Sequence, residues 1–208
     1  MIKTDLSAAV PSIAGWRLKS LPRAVDKDIV KKIIQSCDRN SSLGKRDYAI
    51  LMLLTKMALR AGEVASLELE SIRWRDGVIL LRGKGNRLDA LPLAHDVAKA
   101  IIDYLKNGRY HTQSRKLFLS VLAPGPREMS TRSVQEVVKK ACKIAGIKEI
   151  ATHQLRHTVA TEMLQQGSTL AEIAQVLRHR SITTTAIYAK VDRKNLQYLA
   201  KKWPGGKK

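Results

Sequence analysis

The sequence predicts a predominantly helical α+β domain with one small antiparallel β-sheet. Apolar residues recur at three- and four-residue spacing near both ends of the chain, and between these stretches two β-rich runs flank a glycine-rich turn. Hydrophobic residues make up 44% of the 208 positions, enough for one substantial buried core.

The first half predicts three helical pieces. Asp26 is placed to cap a first helix, whose apolar face holds Ile29, Val30, Ile33 and Ile34. The second helix, about Lys45 to Leu59, is apolar around most of its circumference and is expected in the core. A short helical piece follows from Glu63 to Leu69.

The middle of the chain predicts a β-hairpin. The runs 78–81 and 88–93 are rich in strand-forming residues and flank the glycine-rich turn 83–86. We expect residues 117–119 to add a third strand.

After Ser130 the sequence predicts helices only. Residues 134–145 hold helical spacing, and Gly146 stands where a C-terminal cap belongs. Thr169 to Glu172 has the form of a capping box and opens another helix. A last short helix is expected over residues 192–202.

Charge and composition narrow the function. Thirty-eight Lys and Arg against 18 Asp and Glu give a net charge of +20, which favours nucleic acid as the partner. A membrane surface is the weaker interpretation because no basic amphipathic helix with aromatic anchors stands out. Cys37 and Cys142 lack metal-ligand spacing and are expected to be reduced thiols in a cytoplasmic protein.

A tyrosine lies near clusters of histidine and arginine. Tyr188 follows His179 by nine residues, and His153 and Arg156 are three apart on a predicted helix, so they share one face. A hydroxyl beside such cations suggests an oxygen nucleophile aimed at a phosphate. His157 is expected to pack or bond locally.

Two further cations fit the same chemistry. Arg60 emerges at the end of a buried helix, and Lys84 sits at the hairpin tip between two glycines. Taken in chain order, the set resembles the catalytic domain of the tyrosine recombinase (phage integrase) family over about residues 22–200. The set is Arg60, Lys84, His153, Arg156, His179 and Tyr188, and the stretches 58–63, 83–87 and 152–158 agree as well.

The resemblance implies a metal-independent reaction without any cofactor. Tyr188 would attack a DNA phosphodiester to form a 3′-phosphotyrosine, with His153 in proton transfer. Arg60 and Arg156 would hold the non-bridging oxygens.

The remaining roles complete the expected site. His179 would donate to the phosphate, Lys84 would protonate the leaving 5′-oxygen, and Glu63 would orient the site. Many relatives carry Leu-Gly-His where this chain has Arg178 before His179. Arg178, Arg87 and Arg180 are candidates for DNA contact.

The resemblance also sets the expected organisation and partners. We expect residues 1–21 to be an arm or linker, the remnant of a junction to a missing core-binding domain. The chain would then be an excised fragment, the product of a truncated gene, or one of the short family members. Residues 22–208 would form the catalytic domain, with a docking segment at about 192–203. The expected partner is double-stranded DNA in the nucleoid, with a monomer in solution and a tetramer on DNA.

Three alternatives stay open. A related enzyme would only nick, relax and rejoin DNA, as type IB topoisomerases do. A non-catalytic DNA-binding module is suggested by the helix-turn-helix character of residues 169–188. A decayed, truncated recombinase would fold and bind without assembling.

Overall fold

The computed structural model describes residues 24–83, 88–122, 125–179, 184–185 and 188. Helices predominate in this part of the chain, as predicted, but the strands form two small antiparallel sheets rather than one. The elements are, in order, α1 (Lys27–Gln35), α2 (Ser42–Lys56), α3 (Ala61–Ser66), β1 (Ile72–Arg73), β2 (Val78–Arg82), β3 (Leu88–Pro92), α4 (His95–Asn107), β4 (Leu119–Leu122), β5 (Gly125–Glu128), α5 (Thr131–Ile144), α6 (Thr152–Gln165) and α7 (Leu170–Val176).

Helix α2 is the centre of the core because its side chains are apolar on almost every side. The run from Ala49 to Leu54 is buried without interruption, and α4, α6, α5 and α1 pack around it. The predicted helix is confirmed, but it ends at Lys56 rather than Leu59. Ala58 has a φ of +51°, which the right-handed helix cannot continue through.

The predicted hairpin is confirmed, with β2 and β3 paired from Val78–Pro92 to Arg82–Leu88. The third strand predicted at 117–119 does not join this sheet, because β1 is the strand that extends it, and of those three residues only Leu119 lies in a strand. Leu117 and Phe118 are buried in the core instead, where the Phe118 ring stacks on Tyr104 at 5.5 Å between centroids. The chain that follows forms β4, which pairs with β5 in a separate sheet.

Helix α4 was not predicted, although its buried residues follow helical spacing: Val97, Ala100, Ile101 and Tyr104. Its N-cap is Ala94, which provides no side-chain acceptor for the first turn. The usual sequence signal for a helix start is therefore absent at this position.

The last helices carry the elements that build the site. Gly146 ends the α5 region with a φ of +64°, and the Thr169–Glu172 capping box opens α7, both as predicted. A second, smaller apolar cluster joins α6 and α7 to the end of α2: Ala58, Ala160, Leu164, Ile173, Leu177 and Tyr188. The predicted helix at 192–202 and the arm at 1–21 lie outside the described residues.

No helix in the described ranges combines the length and the apolar character that crossing a membrane requires.

Candidate active site

A cleft of about 930 Å³ separates the β2–β3 hairpin from α7. Arg82 and Asp89 lie on the hairpin side, and Ala174 and Gln175 on the helix side. Four polar residues that sequence analysis singled out also line it: Arg60, Glu63, Arg178 and His179.

Arg60 and Glu63 are bound to each other at the start of α3. The Arg60 N–H donates to Glu63 Oε2 at 2.7 Å, and Nη1 donates to Oε1 at 2.8 Å. Burial opposes ionisation of Glu63, but these bonds and the charges of Arg178 and Arg60 hold the pKa of its carboxyl below the usual range. The Arg60 side chain remains 49% exposed, so part of its guanidinium faces solvent.

Arg156 is held far more tightly, with the residue only 7% exposed. Nη1 donates to the Ala58 carbonyl at 2.5 Å, and Nη2 donates to the Leu177 carbonyl. Its guanidinium therefore ties the end of α2 to the end of α7. Burial, followed by repulsion from Arg60, lowers the pKa of Arg156 to about 10, which leaves it charged at neutral pH.

The backbone is strained next to the two carbonyl groups that bind Arg156. Among the described residues, Ala58 and Arg178 are the non-glycine residues with positive φ, at +51° and +50°. Such conformations cost of order 1–3 kcal/mol and concentrate at functional sites. Here one of them supplies a carbonyl to Arg156, and the other directly precedes His179.

Tyr188 lies in the same cluster and is only 3% exposed. Its hydroxyl is 2.5 Å from Nδ1 of His157. Burial raises the pKa of Tyr188 to about 12, although the charge of Arg156 opposes this. Burial, followed by His153 and Arg156, lowers the pKa of His157. A protonated tyrosine therefore lies against a neutral imidazole. When that imidazole carries its proton on Nε2, its Nδ1 accepts a hydrogen bond from the Tyr188 hydroxyl.

His157 is the residue that sequence analysis missed, because its partner is 31 positions away rather than local. His153, the histidine expected near the nucleophile, is exposed on the first turn of α6. The two imidazoles meet edge to face with centroids 6.1 Å apart. The i, i+4 spacing of these histidines on one helix face was the available signal.

His179 lies at the end of α7 and lines the cleft. Its Nδ1 is 2.8 Å from the hydroxyl of Thr185, which is fully buried. Burial, followed by the charges of Arg156 and Arg60, lowers the pKa of His179 to about 4. The imidazole is therefore neutral at neutral pH, so it can still donate one N–H to a ligand in the cleft.

The other candidates divide into two groups. Lys84, Arg87 and Arg180 lie outside the described residues, although Gly83 and Leu88, on either side of the 84–87 segment, line the cleft. Arg178 lies within the described residues, and its side chain donates a hydrogen bond to Glu63. Within the described part, no group of three or more His, Cys, Asp or Glu side chains is arranged to hold a metal ion.

Comparison with known proteins gives one family. The model of the phage integrase family matches residues 23–195. The sequence is 45% identical over 206 residues to y4rA of Sinorhizobium fredii, which is described as an integrase/recombinase. The alignment covers 98% of this chain but 50% of that protein. A second such protein of the same organism, y4gC, is 34% identical and is covered over 97% of its length. The tyrosine recombinase XerA of Pyrococcus furiosus is 33% identical over 86% of this chain and 61% of its own length.

Solved structures agree on the fold. The crystal structure of XerA recombinase superposes with a TM-score of 0.72 at 26% identity, over 89% of this chain and 66% of that one. XerH site-specific recombinase, bound to its difH substrate in a pre-cleavage complex, gives 0.72 at 22% identity over 91% and 56%. The chain thus spans about half the length of the first two curated relatives.

Proposed function

Because this chain belongs to the phage integrase family, we propose that it provides the catalytic domain of a site-specific DNA recombinase. The domain would cleave and rejoin DNA through a 3′-phosphotyrosine, without metal or cofactor. One observation carries the proposal: the Tyr188 hydroxyl is hydrogen-bonded to the neutral imidazole of His157, close to several guanidinium groups.

The residues of the site suggest the following reaction. The Tyr188 oxygen forms a bond to phosphorus while the bond from phosphorus to the 5′-oxygen breaks. Because a phenol is a weak nucleophile while protonated, its proton passes to His157, which is already bonded to it. The exposed His153, with its ring against that of His157, would take the proton onward to solvent.

The cations stabilise the charge that develops on the phosphate. Arg156 brings a buried, fixed charge, and Arg60 brings the exposed part of its guanidinium to the cleft. Preorganised donors of this kind are commonly worth about 3–4 kcal/mol each in the transition state. We assign a further N–H donor to His179 and protonation of the leaving 5′-oxygen to Lys84. Attack of the 5′-hydroxyl on the phosphotyrosine reverses every step and needs no energy source.

The partner we propose is double-stranded DNA in the nucleoid, within the cytoplasm. The charge of +20 supports it, because each neutralised phosphate releases counterions and strengthens binding at low salt. Several relatives are named recombinases, and XerH is solved on its substrate. We further propose a monomer in solution and a tetramer on DNA, with residues 192–203 docking on a neighbour.

Covalent trapping on nicked suicide duplexes from the source locus, in EDTA at low salt, tests this proposal. We expect a protease-sensitive adduct on the 3′ end that disappears in Tyr188→Phe and persists in Tyr110→Phe, where the tyrosine is exposed. An adduct retained by Tyr188→Phe would place the nucleophile elsewhere. Binding without any adduct would favour the non-catalytic DNA-binding module.

The same assay separates the two histidines. We expect His157→Gln to slow adduct formation more than His153→Gln, because only His157 contacts the Tyr188 hydroxyl among the two. A larger loss for His153→Gln would assign the first proton transfer to that residue.

A further inference from the structure

Arg178 occupies a backbone conformation that a residue with a side chain rarely adopts. Its φ is +50°, a left-handed geometry that suits glycine. A strained arginine at this position implies that its side chain has a task that glycine cannot perform.

The contacts of that side chain lie inside the protein. Nη2 donates to Glu63 Oε2 at 2.5 Å, and Nη1 donates to the Val176 carbonyl at 3.1 Å. The side chain is 8% exposed. These contacts favour a role exerted through Glu63 over the direct DNA contact expected from the sequence.

The charge balance around Glu63 suggests what that role is. Glu63 Oε1 pairs with the Arg60 guanidinium while Oε2 accepts the Arg60 backbone N–H, so the charges of the two side chains largely cancel. Alone, a carboxylate bonded to a phosphate-binding arginine would repel the phosphate. Arg178 adds a second cation to the same carboxylate, which leaves the group of three with one positive charge. Since the Glu63 side chain is only 14% exposed, solvent screens these charges weakly.

We propose that Arg178 is a positioning residue that offsets the charge of Glu63, so that Arg60 can be fixed by a carboxylate and still bind phosphate. This inference rests on the proposed function, because it assigns Arg60 to the DNA phosphate. Glu63 fixes the direction of the Arg60 guanidinium, and Arg178 restores the positive potential of the cleft.

The test is a double-mutant cycle between Arg178→Gly and Glu63→Gln, followed by the rate of adduct formation at limiting and saturating suicide DNA. Arg178→Gly should slow the adduct by about tenfold or more, in line with the loss of one charged hydrogen bond. In the Glu63→Gln background the same substitution should have at least a several-fold smaller effect, since no carboxylate charge remains to offset. Equal effects in both backgrounds would overturn the proposal, and so would an Arg178→Gly enzyme as fast as the original.

Two controls keep folding and general charge apart from this effect. Glycine suits the φ of residue 178, and Arg178→Asn is a second variant that tolerates it, so both should fold and agree. Lys148→Gly removes one exposed charge from the loop after α5 and should leave the adduct rate unchanged. A comparable loss in Lys148→Gly would reduce the Arg178 effect to net charge and reject the proposal.

A binding measurement distinguishes this inference from the proposed function. In the Tyr188→Phe background, fluorescence anisotropy gives the duplex affinity without any chemistry. We expect Arg178→Gly to weaken binding there, and Glu63→Gln to restore it. If the unmodified protein forms no adduct but this coupling is present, the proposed reaction fails, and the role of Arg178 in offsetting the charge of Glu63 stands. If an adduct forms but no coupling is found in either assay, the role of Arg178 fails alone.

Discussion

The two buried regions of this molecule are held together by different forces. Around α2, aliphatic side chains are buried in a continuous run from Ala49 to Leu54. The buried charge there, Asp47, is neutralised by its neighbour Arg46 at 2.6 Å and by Lys140 at 3.4 Å. Around Arg156, a smaller apolar cluster is combined with a buried guanidinium that donates hydrogen bonds to two backbone carbonyls.

This difference indicates which region tolerates change. Apolar burial is non-directional, so the α2 region needs volume and hydrophobicity rather than particular atoms. A buried cation depends on its individual acceptors, because losing one leaves polar groups unpaired. The strained residues Ala58 and Arg178 lie in this second region. Apolar packing around α2 therefore stabilises the fold, and part of that stabilisation keeps the strained residues around Arg156 in place.

The largest effect on adduct formation should follow from replacing Arg156, the buried cation at the centre of the second region. In Arg156→Lys the charge is kept, but one ammonium cannot reproduce the planar fork that reaches the Ala58 and Leu177 carbonyls. We expect adduct formation to fall by about 10²–10³-fold and the free energy of unfolding to fall by about 1–3 kcal/mol. Single-turnover trapping and chemical denaturation measure the two losses. Lysine performing as well as arginine would mean that the charge alone matters.

A core substitution should give the opposite pattern. Leu53 is fully buried on α2, so Leu53→Ala should lower the free energy of unfolding by about 2–5 kcal/mol. The adduct rate per folded molecule should stay close to that of the original, because Leu53 carries no polar contact of the site. Leu53→Met, which nearly conserves volume, is the matched control and should cost less than about 1.5 kcal/mol. A large loss of rate in folded Leu53→Ala would show that the two regions are mechanically coupled.

The α2 region is also the part that the sequence predicts well. Apolar residues repeat with the helical period along α1 and α5, and α2 is marked by its nearly continuous apolar run, so the apolar pattern alone locates all three. The errors occur where that pattern is insufficient. Helix α4 begins without a capping side chain, and Leu117 and Phe118 have strand-like side chains but fill the core just before β4 begins.

The site is predicted less completely, for a physical reason. The family motif identifies Arg60, Arg156, His179 and Tyr188, and the structure brings these residues into one cluster. The bond from Tyr188 to His157 and the turn of Arg178 onto Glu63 are long-range contacts. No periodicity in the chain encodes them, because they depend on how α6, α7 and α3 meet.

The smallest effect expected is a pH dependence that belongs to the second region. The pKa of His179 is lowered from 6.5 to about 4, first by burial and then by Arg156 and Arg60. The unfolded chain binds this proton near pH 6.5, whereas the folded protein resists it until about pH 4. The free energy of unfolding should therefore fall as the pH decreases through this window, by about 1 kcal/mol once solvent access to the ring is allowed for. Thermal melts of His179→Asn should show a flatter slope there, while His95→Asn, at the exposed start of α4, should keep the original slope. Identical slopes in all three proteins would mean that the acid sensitivity arises from the carboxylates instead.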